Sequence, residues 1–452
     1  MDKVTILGAG PAGLTAGYIL AKHGVDVSVF EGAEFVGGLT RTTMYKGYRF
    51  DLGGHRFYTE NNEIMSLVKE LMKDEFILVK GVSKIYIDGK LLNYPITFFN
   101  TISSVGFKKL SYMLSDYLTA KMKDMASPNS NRSLSDWLIK RFGRYASKVF
   151  FTDFAEKTWG ISSDKLSLHL ADERIMFSLK DAIKNILIRT WKKPQTLIEW
   201  FYYPRLGYGR ICERLAEETG HSSIELSSKV IRLSHSDGKI KSIVIKRSEG
   251  EKEIGCQNVI SSIPITGLVS MLSPKPDDEV LVAARNLKFR ALIIVFLVIK
   301  RDMVLKDMSE VYFPEKDIPF GRIHEPKKWS KDMVKNGNSS LVVEYSCDYG
   351  DNIWEMRDES LKDMTVKELV KIGLIEESEI LDYKIVKAGR AYPVYDLEFE
   401  GNLKVLIDYL SKFENLQLIG RGGEFKYTTT AEHMEAAIKL AEDLVRTQGG
   451  VS

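Results

Sequence analysis

Cysteine is scarce in this chain of 452 residues, with only Cys212, Cys256 and Cys347. They lie far apart and form no CxxC or CxxH spacing. An odd, sparse count excludes a disulfide framework and a thiolate metal site, and it fits a reducing compartment. An excess of charge of one sign is also missing. The chain carries 64 basic and 61 acidic residues, a net charge of +3, and so has no electrostatic footprint for nucleic acid. Long apolar runs are lacking too. The longest, residues 291–299 (ALIIVFLVI), falls far short of the roughly 20 residues of a membrane-spanning helix and reads as a buried strand. Met1-Asp2-Lys3 leads straight into a strand-like run with no signal-peptide pattern. The expectation is a cytoplasmic protein with no transmembrane segment and no nucleic-acid partner. Repeats and low-complexity tracts are absent, and a homo-oligomer is left open.

Apolar residues make up 44% of the chain and charged residues 28%, enough for a sizeable core. Typical domains of about 100–200 residues suggest two, interleaved. Residues 4–7 form a β-branched run that ends in glycines, 14–22 a helical stretch closed by Gly24, and 27–30 a second strand. This is a βαβ opening. Residues 96–198 are helix-like, with amphipathic stretches at 107–125 and 178–191 around a polar loop at 126–132. Strand patterns return at 223–233, 240–247, 258–261, 289–299, 311–313 and 340–345. A helix at 365–372, a strand at 416–419 and a helix at 431–446 complete the pattern.

The sharpest motif is Gly8-Ala9-Gly10-Pro11-Ala12-Gly13 between the first strand and the first helix, with Glu31 ending the second strand. Strand, glycines, helix, strand and acid come in the order a dinucleotide site requires. Gly8 allows the tight turn, Gly10 admits the pyrophosphate, and Gly13 lets helix and strand pack closely. The helix N-terminus offers N–H groups to the phosphates, and Glu31 is placed to accept hydrogen bonds from the ribose. The fingerprint alone does not separate FAD from NAD. Two further segments favour FAD. Gly37-Gly38-Leu39-Thr40-Arg41 lets the backbone lie along a long ligand, with Arg41 reaching the pyrophosphate. Leu418-Ile419-Gly420-Arg421-Gly422-Gly423 offers a second N–H-lined turn for the flavin end. Val230 is a candidate to meet the adenine through its backbone.

Residues 8–13, Glu31 and 37–41 resemble the flavin amine oxidase and protoporphyrinogen oxidase superfamily. Later segments resemble the UDP-galactopyranose mutases within it, more the eukaryotic-type pattern than the bacterial one. These are 50–59 (FDLGGHRFYT), 156–160 (EKTWG), 203–210 (YPRLGYGR), 312–322 (YFPEKDIPFGR), 391–393 (AYP) and 419–427 (IGRGGEFKY). The resemblance implies an α/β fold: a Rossmann-type, glutathione-reductase-like FAD-binding domain with an inserted α+β substrate domain. The expected boundaries are 1–90, 201–265 and 386–452 for the FAD domain. The substrate domain takes 91–200, mainly helical, and 266–385, sheet-containing.

It also implies an unusual reaction, in which N5 of reduced FAD attacks the anomeric carbon of a nucleotide sugar and the ring recloses on a different hydroxyl. Gly53, Gly54 and His55 then lie against the flavin ring, His55 tuning it. Arg322 matches an arginine that neutralises the diphosphate, with Arg174 a second candidate. Tyr208, Tyr312, Tyr392 and Tyr427 match residues lining the sugar or diphosphate pocket. Trp159 packs on the uracil or anchors a helix, and Arg421 stands beside the flavin. His55, Arg322 and Arg421 are the catalytic candidates. Two places depart from the mutase pattern. Phe154 stands where tyrosine is common, and Thr428-Thr429-Thr430 stands where an Asn- or Asp-bearing segment is usual. The basic stretch 180–193 reads as a solvated face or lid, or as a membrane-surface helix. The competing activity is an FAD-dependent oxidoreductase of the amine oxidase or protoporphyrinogen oxidase type, oxidising an amine, a porphyrinogen-like ring or a carbon chain; a non-catalytic flavoprotein scaffold fits poorly.

Overall fold

The computed structural model describes residues 2–94, 111–113, 115–122, 133–170, 199–335 and 337–449. The amphipathic stretch 178–191, the loop 126–132, the basic segment 180–193 and, within 107–125, residues 107–110, 114 and 123–125 lie outside them.

The chain builds the expected α/β fold around a five-stranded sheet in the order Leu416–Leu418, Asn258–Ser261, Val4–Leu7, Val27–Phe30, Ile224–Glu225. Every neighbouring pair is parallel. Val4, Thr5, Ile6 and Leu7 are all buried, as a strand covered on both faces demands. The helix Pro11–Lys22 starts with proline, whose missing N–H costs nothing in the first turn. It lies between this sheet and the helices Arg210–Thr219 and Thr430–Gly449, so residues 12–20 are buried all round. Gly24 takes φ +74° just beyond its end and lets the chain turn.

The strand expected at 223–233 is two strands. Ile224–Glu225 completes the parallel sheet, and Lys229–Ser236 joins a four-stranded sheet with Lys239–Arg247, Gly250–Gly255 and Leu272–Ser273. The break comes at Ser227, with φ +50°. The N–H groups of Ser227 and Ser228 there donate to the carbonyls of Ala33 and Glu31. Tertiary hydrogen bonds thus override a continuous strand pattern.

The third layer is a seven-stranded sheet in the order Ile380–Pro393, Phe289–Ile299, Ser339–Cys347, Arg322–His324, Glu310–Tyr312, Ser83–Ile87, Lys90–Asn93. Phe289–Ile299 is the strand read from the apolar run, paired on both sides. Its side chains alternate. Ile293, Val295 and Leu297 join a core with Leu361 and Leu369 of the helix Asp358–Lys371. Leu292, Ile294, Phe296 and Val298 join a second core with Tyr48, Phe50 and Leu52. That second core carries the strand Tyr48–Asp51, and with it the loop 53–55, onto the sheet. Among the described residues no helix is long and apolar enough to cross a membrane.

Phe296 is fully buried and stacks on Phe50, ring centroids 4.2 Å apart. Phe296→Ala is expected to lower stability by about 3–5 kcal/mol, read from urea unfolding. A loss within experimental error would show that this core does not anchor the loop.

Candidate active site

The turn at the start of the first helix is shaped by its glycines. Gly8 has φ +98°, and its N–H donates to the Phe30 carbonyl at 2.8 Å. A Cβ on Gly13 would overlap the Gly8 carbonyl oxygen, so helix and turn touch only because it is absent. Gly10 is the N-cap and makes no side-chain cap, and a Cβ there would meet nothing within 4 Å. The helix therefore presents its first N–H groups to open space, with Ala12 beside them. Gly38 lies close, its Cβ position 3.6 Å from Gly10 Cα. Arg41 donates to the Gly38 carbonyl at 2.8 Å and sits 4.5 Å over the Phe35 ring. Burial lowers the pKa of Arg41, and the Glu31 charge opposes that.

Glu31 already accepts from Ala9 N–H at 2.8 Å and Ala33 N–H at 2.9 Å. Each carboxylate oxygen keeps a second lone pair for a ribose hydroxyl. Val230 is 7% exposed and packs in the core that holds Leu7 and Phe30, two residues past the Ser228–Glu31 hydrogen bond.

The C-terminal turn meets this cradle from the other side. Gly420 has φ +76°, and a Cβ there would come within 3.0 Å of Ala12 Cβ. A Cβ on Gly423 would come within 2.7 Å of the Ser261 carbonyl oxygen. Arg421 donates to the carbonyls of Thr428 at 3.0 Å and Ala391 at 3.4 Å.

The loop 53–55 follows Asp51. That carboxylate accepts from Thr42 Oγ1 at 2.5 Å, Tyr208 N–H at 3.0 Å and the Tyr203 hydroxyl at 2.6 Å. Burial raises Asp51 to about 6 against these donors. Tyr208 in turn stacks on His55, centroids 5.0 Å apart. Burial, then Arg421 and Arg322, depress His55 to about 3, so the imidazole is neutral. Its Nδ1 is buried without a hydrogen-bond partner among the described residues. An orphaned ring nitrogen and a glycine-lined groove free of side chains fit a planar heterocycle carried on a dinucleotide.

Beyond the loop stand the arginines and tyrosines. Arg322 pairs with Glu344 through Nε and Nη2, both at 2.8 Å. It faces Tyr312 across the antiparallel pair, with its guanidinium 5.7 Å from that ring. Burial works against the Arg322 charge, but Glu344 outweighs it and the pKa is raised. Phe154 packs edge-on against Tyr312 at 6.1 Å. Trp159 is 5% exposed and meets Tyr392 and Tyr427 edge-on, at 6.3 and 5.4 Å. Arg421 lies 5.3 Å from the Tyr392 ring and 5.1 Å from the Tyr427 ring. Burial, then the Tyr427 neighbour, raises the Tyr392 pKa and keeps its hydroxyl protonated. Lys157 of the same helix as Trp159 donates to the carbonyls of Phe313 at 2.7 Å and Glu315 at 2.9 Å. Burial depresses it to about 7.

The structure thus gathers the glycine turns and Arg41 at one end. His55, Tyr208, Tyr312, Arg322, Tyr392, Arg421 and Tyr427 gather at the other. Arg174 lies outside the described residues. Sequence reasoning did not single out Glu344, Asp51 or Arg290. Glu344 is a lone acid in the apolar strand SSLVVEYSC, which is itself a signal. Arg290, 4% exposed, donates to the Thr158 carbonyl at 3.0 Å and pairs with Asp348, pinning the end of the Trp159 helix. Nothing in the spacing of residues 290, 158 and 348 announces that contact.

A family model for flavin containing amine oxidoreductase matches residues 11–388. The chain belongs to that family. It is an FAD-dependent flavoenzyme. Mitochondrial protoporphyrinogen oxidase of Nicotiana tabacum is 28% identical over 173 residues, 37% of this chain and 34% of that enzyme. The match therefore spans only about a third of that relative. Protoporphyrinogen oxidase 2 of Arabidopsis thaliana is 22% identical over 450 residues, 91% of this chain and 87% of that one. Among solved structures, a reduced UDP-galactopyranose mutase superposes with a TM-score of 0.84 at 20% identity, covering 100% of this chain and 96% of that one. That likeness shows the shared fold.

Two outcomes test the geometry. Gly10→Leu fills open space rather than a packed contact, so the protein is expected to fold but to lose its flavin absorbance near 450 nm through exclusion of the pyrophosphate. Yellow protein with a full complement of FAD would place the dinucleotide elsewhere. For His55, the unfolded chain titrates at 6.5 and the folded one at about 3. Below 6.5 the unfolded state binds a proton that the folded state refuses, so stability falls as pH falls. The stability difference between wild type and His55→Gln is expected to change by about 1.4 kcal/mol per pH unit on the acid side. Denaturant titrations at several pH values measure it, and parallel curves would rule out a buried neutral imidazole.

Proposed function

We propose that the chain is a UDP-galactopyranose-mutase-like isomerase that interconverts the pyranose and furanose forms of a nucleotide sugar. The observation that carries this reading is the pairing of two guanidinium groups with a tyrosine-lined pocket. Arg421 sits among Tyr392, Tyr427 and Trp159, and Arg322 lies against Tyr312. Two arginines repel a cationic amine and suit an anionic, hydroxyl-rich ligand.

Reduced FAD supplies a nucleophilic nitrogen to the anomeric carbon. The protein's own residues do the rest. Arg322 and Arg421 receive the charge of the diphosphate as it departs, in a setting where fixed donors need no reorganisation. Arg322 commits Nε and Nη2 to Glu344, so its Nη1 edge is the one directed to substrate. Burial keeps the hydroxyls of Tyr312 and Tyr392 protonated, so they donate hydrogen bonds to phosphate or sugar oxygens, while these rings and that of Tyr427 exclude water. Neutral His55 offers Nδ1 for one hydrogen bond at the flavin ring. Tyr208 holds the His55 imidazole by stacking.

A second reading, an oxidoreductase acting on another small molecule, is favoured by a different observation. Two arginines near the loop 53–55 have an acid at hand, Glu344 for Arg322 and Glu310 for Arg56. The net positive charge facing substrate is accordingly smaller than the count of arginines suggests.

UDP-galactopyranose incubated with and without dithionite separates the two. The first reading expects a furanose product only after flavin reduction, and a loss of about 10²–10³-fold in kcat for Arg322→Met. The second expects an oxidised substrate that bleaches the flavin anaerobically. No turnover by the reduced enzyme would remove the mutase reading for that sugar.

A further inference from the structure

Glu344 lies within the strand Ser339–Cys347, opposite Ile294 on one side and Arg322 on the other. It is 6% exposed and flanked by buried Val343 and Tyr345. A carboxylate in such surroundings is costly unless its oxygens are satisfied. Oε1 accepts from Arg322 Nε at 2.8 Å and from Gly54 N–H at 3.1 Å, and lies 3.4 Å from His324 Nδ1. Oε2 accepts from Arg322 Nη2 at 2.8 Å. Burial opposes its charge, but Arg322 and His324 outweigh that and hold the carboxyl at about 2.

The geometry presses both charges onto one piece of backbone. A Cβ on Gly54 would stand 3.1 Å from Arg322 Cζ and Nη1. One on Gly53 would stand 3.5 Å from Nη2 and 3.6 Å from Glu344 Oε2. Of the other buried acids nearby, Glu310 is engaged by Arg56 and Ser83, and Asp51 by Thr42, Tyr203 and Tyr208. Among the described residues, Glu344 alone is hydrogen-bonded to both the loop and Arg322.

We propose that Glu344 is a positioning residue of the flavin site: it seats Arg322 on the Gly53–Gly54 backbone and offsets the positive charge that the flavin ring meets there. This rests on the reading of residues 53–55 as flavin-facing, and it does not need the mutase assignment. Removal of the carboxylate leaves the guanidinium uncompensated and favours the reduced flavin, the form that gains negative charge. Removal of the guanidinium does the reverse.

The test is the midpoint potential of FAD in the purified holoprotein, at mildly alkaline pH so that an unpaired carboxylate stays ionised. Glu344→Gln is expected to move it to more positive values and Arg322→Gln to more negative ones. At a fixed poise each changes the ratio of reduced to oxidised flavin by about tenfold, the scale of one nearby charge. Glu344→Asp keeps the charge and stays near wild type. Shifts of the same sign in both single variants, or a Glu344→Gln potential equal to wild type, would overturn the proposal. Should Glu344→Gln fail to fold, the double variant Arg322→Gln/Glu344→Gln decides: a potential more positive than that of Arg322→Gln is expected, and an equal one overturns the proposal. The flavin absorbance spectrum of His55→Ala separates the two levels. A changed spectrum with unshifted potentials removes the role of Glu344 only, and an unchanged spectrum with unshifted potentials removes the flavin-facing loop as well.

Discussion

The structure depends on bringing backbone close to backbone at the amino end of the first helix. That helix end exposes unsatisfied N–H groups and the positive end of a dipole. A pyrophosphate reaches them only if no side chain stands over them. Three segments far apart in sequence meet this condition together. Gly8, Gly10 and Gly13 form the turn itself, Gly38 lies over Gly10, and Gly420 rests against Ala12. The last contact, between Gly420 and Ala12, obliges the chain to return to its first helix near its C-terminal end. Strands from residues 4–7, 27–30, 224–225, 258–261 and 416–418 accordingly share one sheet.

The far end of the groove is organised by charge. Asp51, Glu310 and Glu344 are buried, and each is matched by donors from a separate segment. Such pairs contribute little net stability, since desolvation cancels much of their attraction. They do fix orientation. Asp51 ties Thr42, Tyr203 and Tyr208 into one unit that carries the His55 stack. Glu344 ties the loop 53–55 to Arg322. Arg290 and Lys157 hold the helix of Trp159 against the sheet and the segment 313–315. Family membership settles the cofactor.

The dinucleotide end was legible because its requirements are local. Glycine positions, helix start and terminal acid follow one another within one βαβ unit, and the βαβ elements appear where the periodicity placed them. The apolar run at 291–299 was legible too, since a strand buried on both faces must be apolar. The pattern at 223–233 misled because periodicity cannot register a single residue at φ +50° held by contacts from residues 31 and 33.

What the sequence by itself determined is the βαβ opening, the FAD cofactor and the family, because these follow from residue size and order over short spans. Only the tertiary structure decided the charge state of His55, the bidentate hold of Glu344 on Arg322 and the enclosure of Trp159 by Tyr392 and Tyr427. Those depend on burial and on distances between residues on separate strands and helices, from 22 to hundreds of positions apart, and no local spacing encodes either quantity.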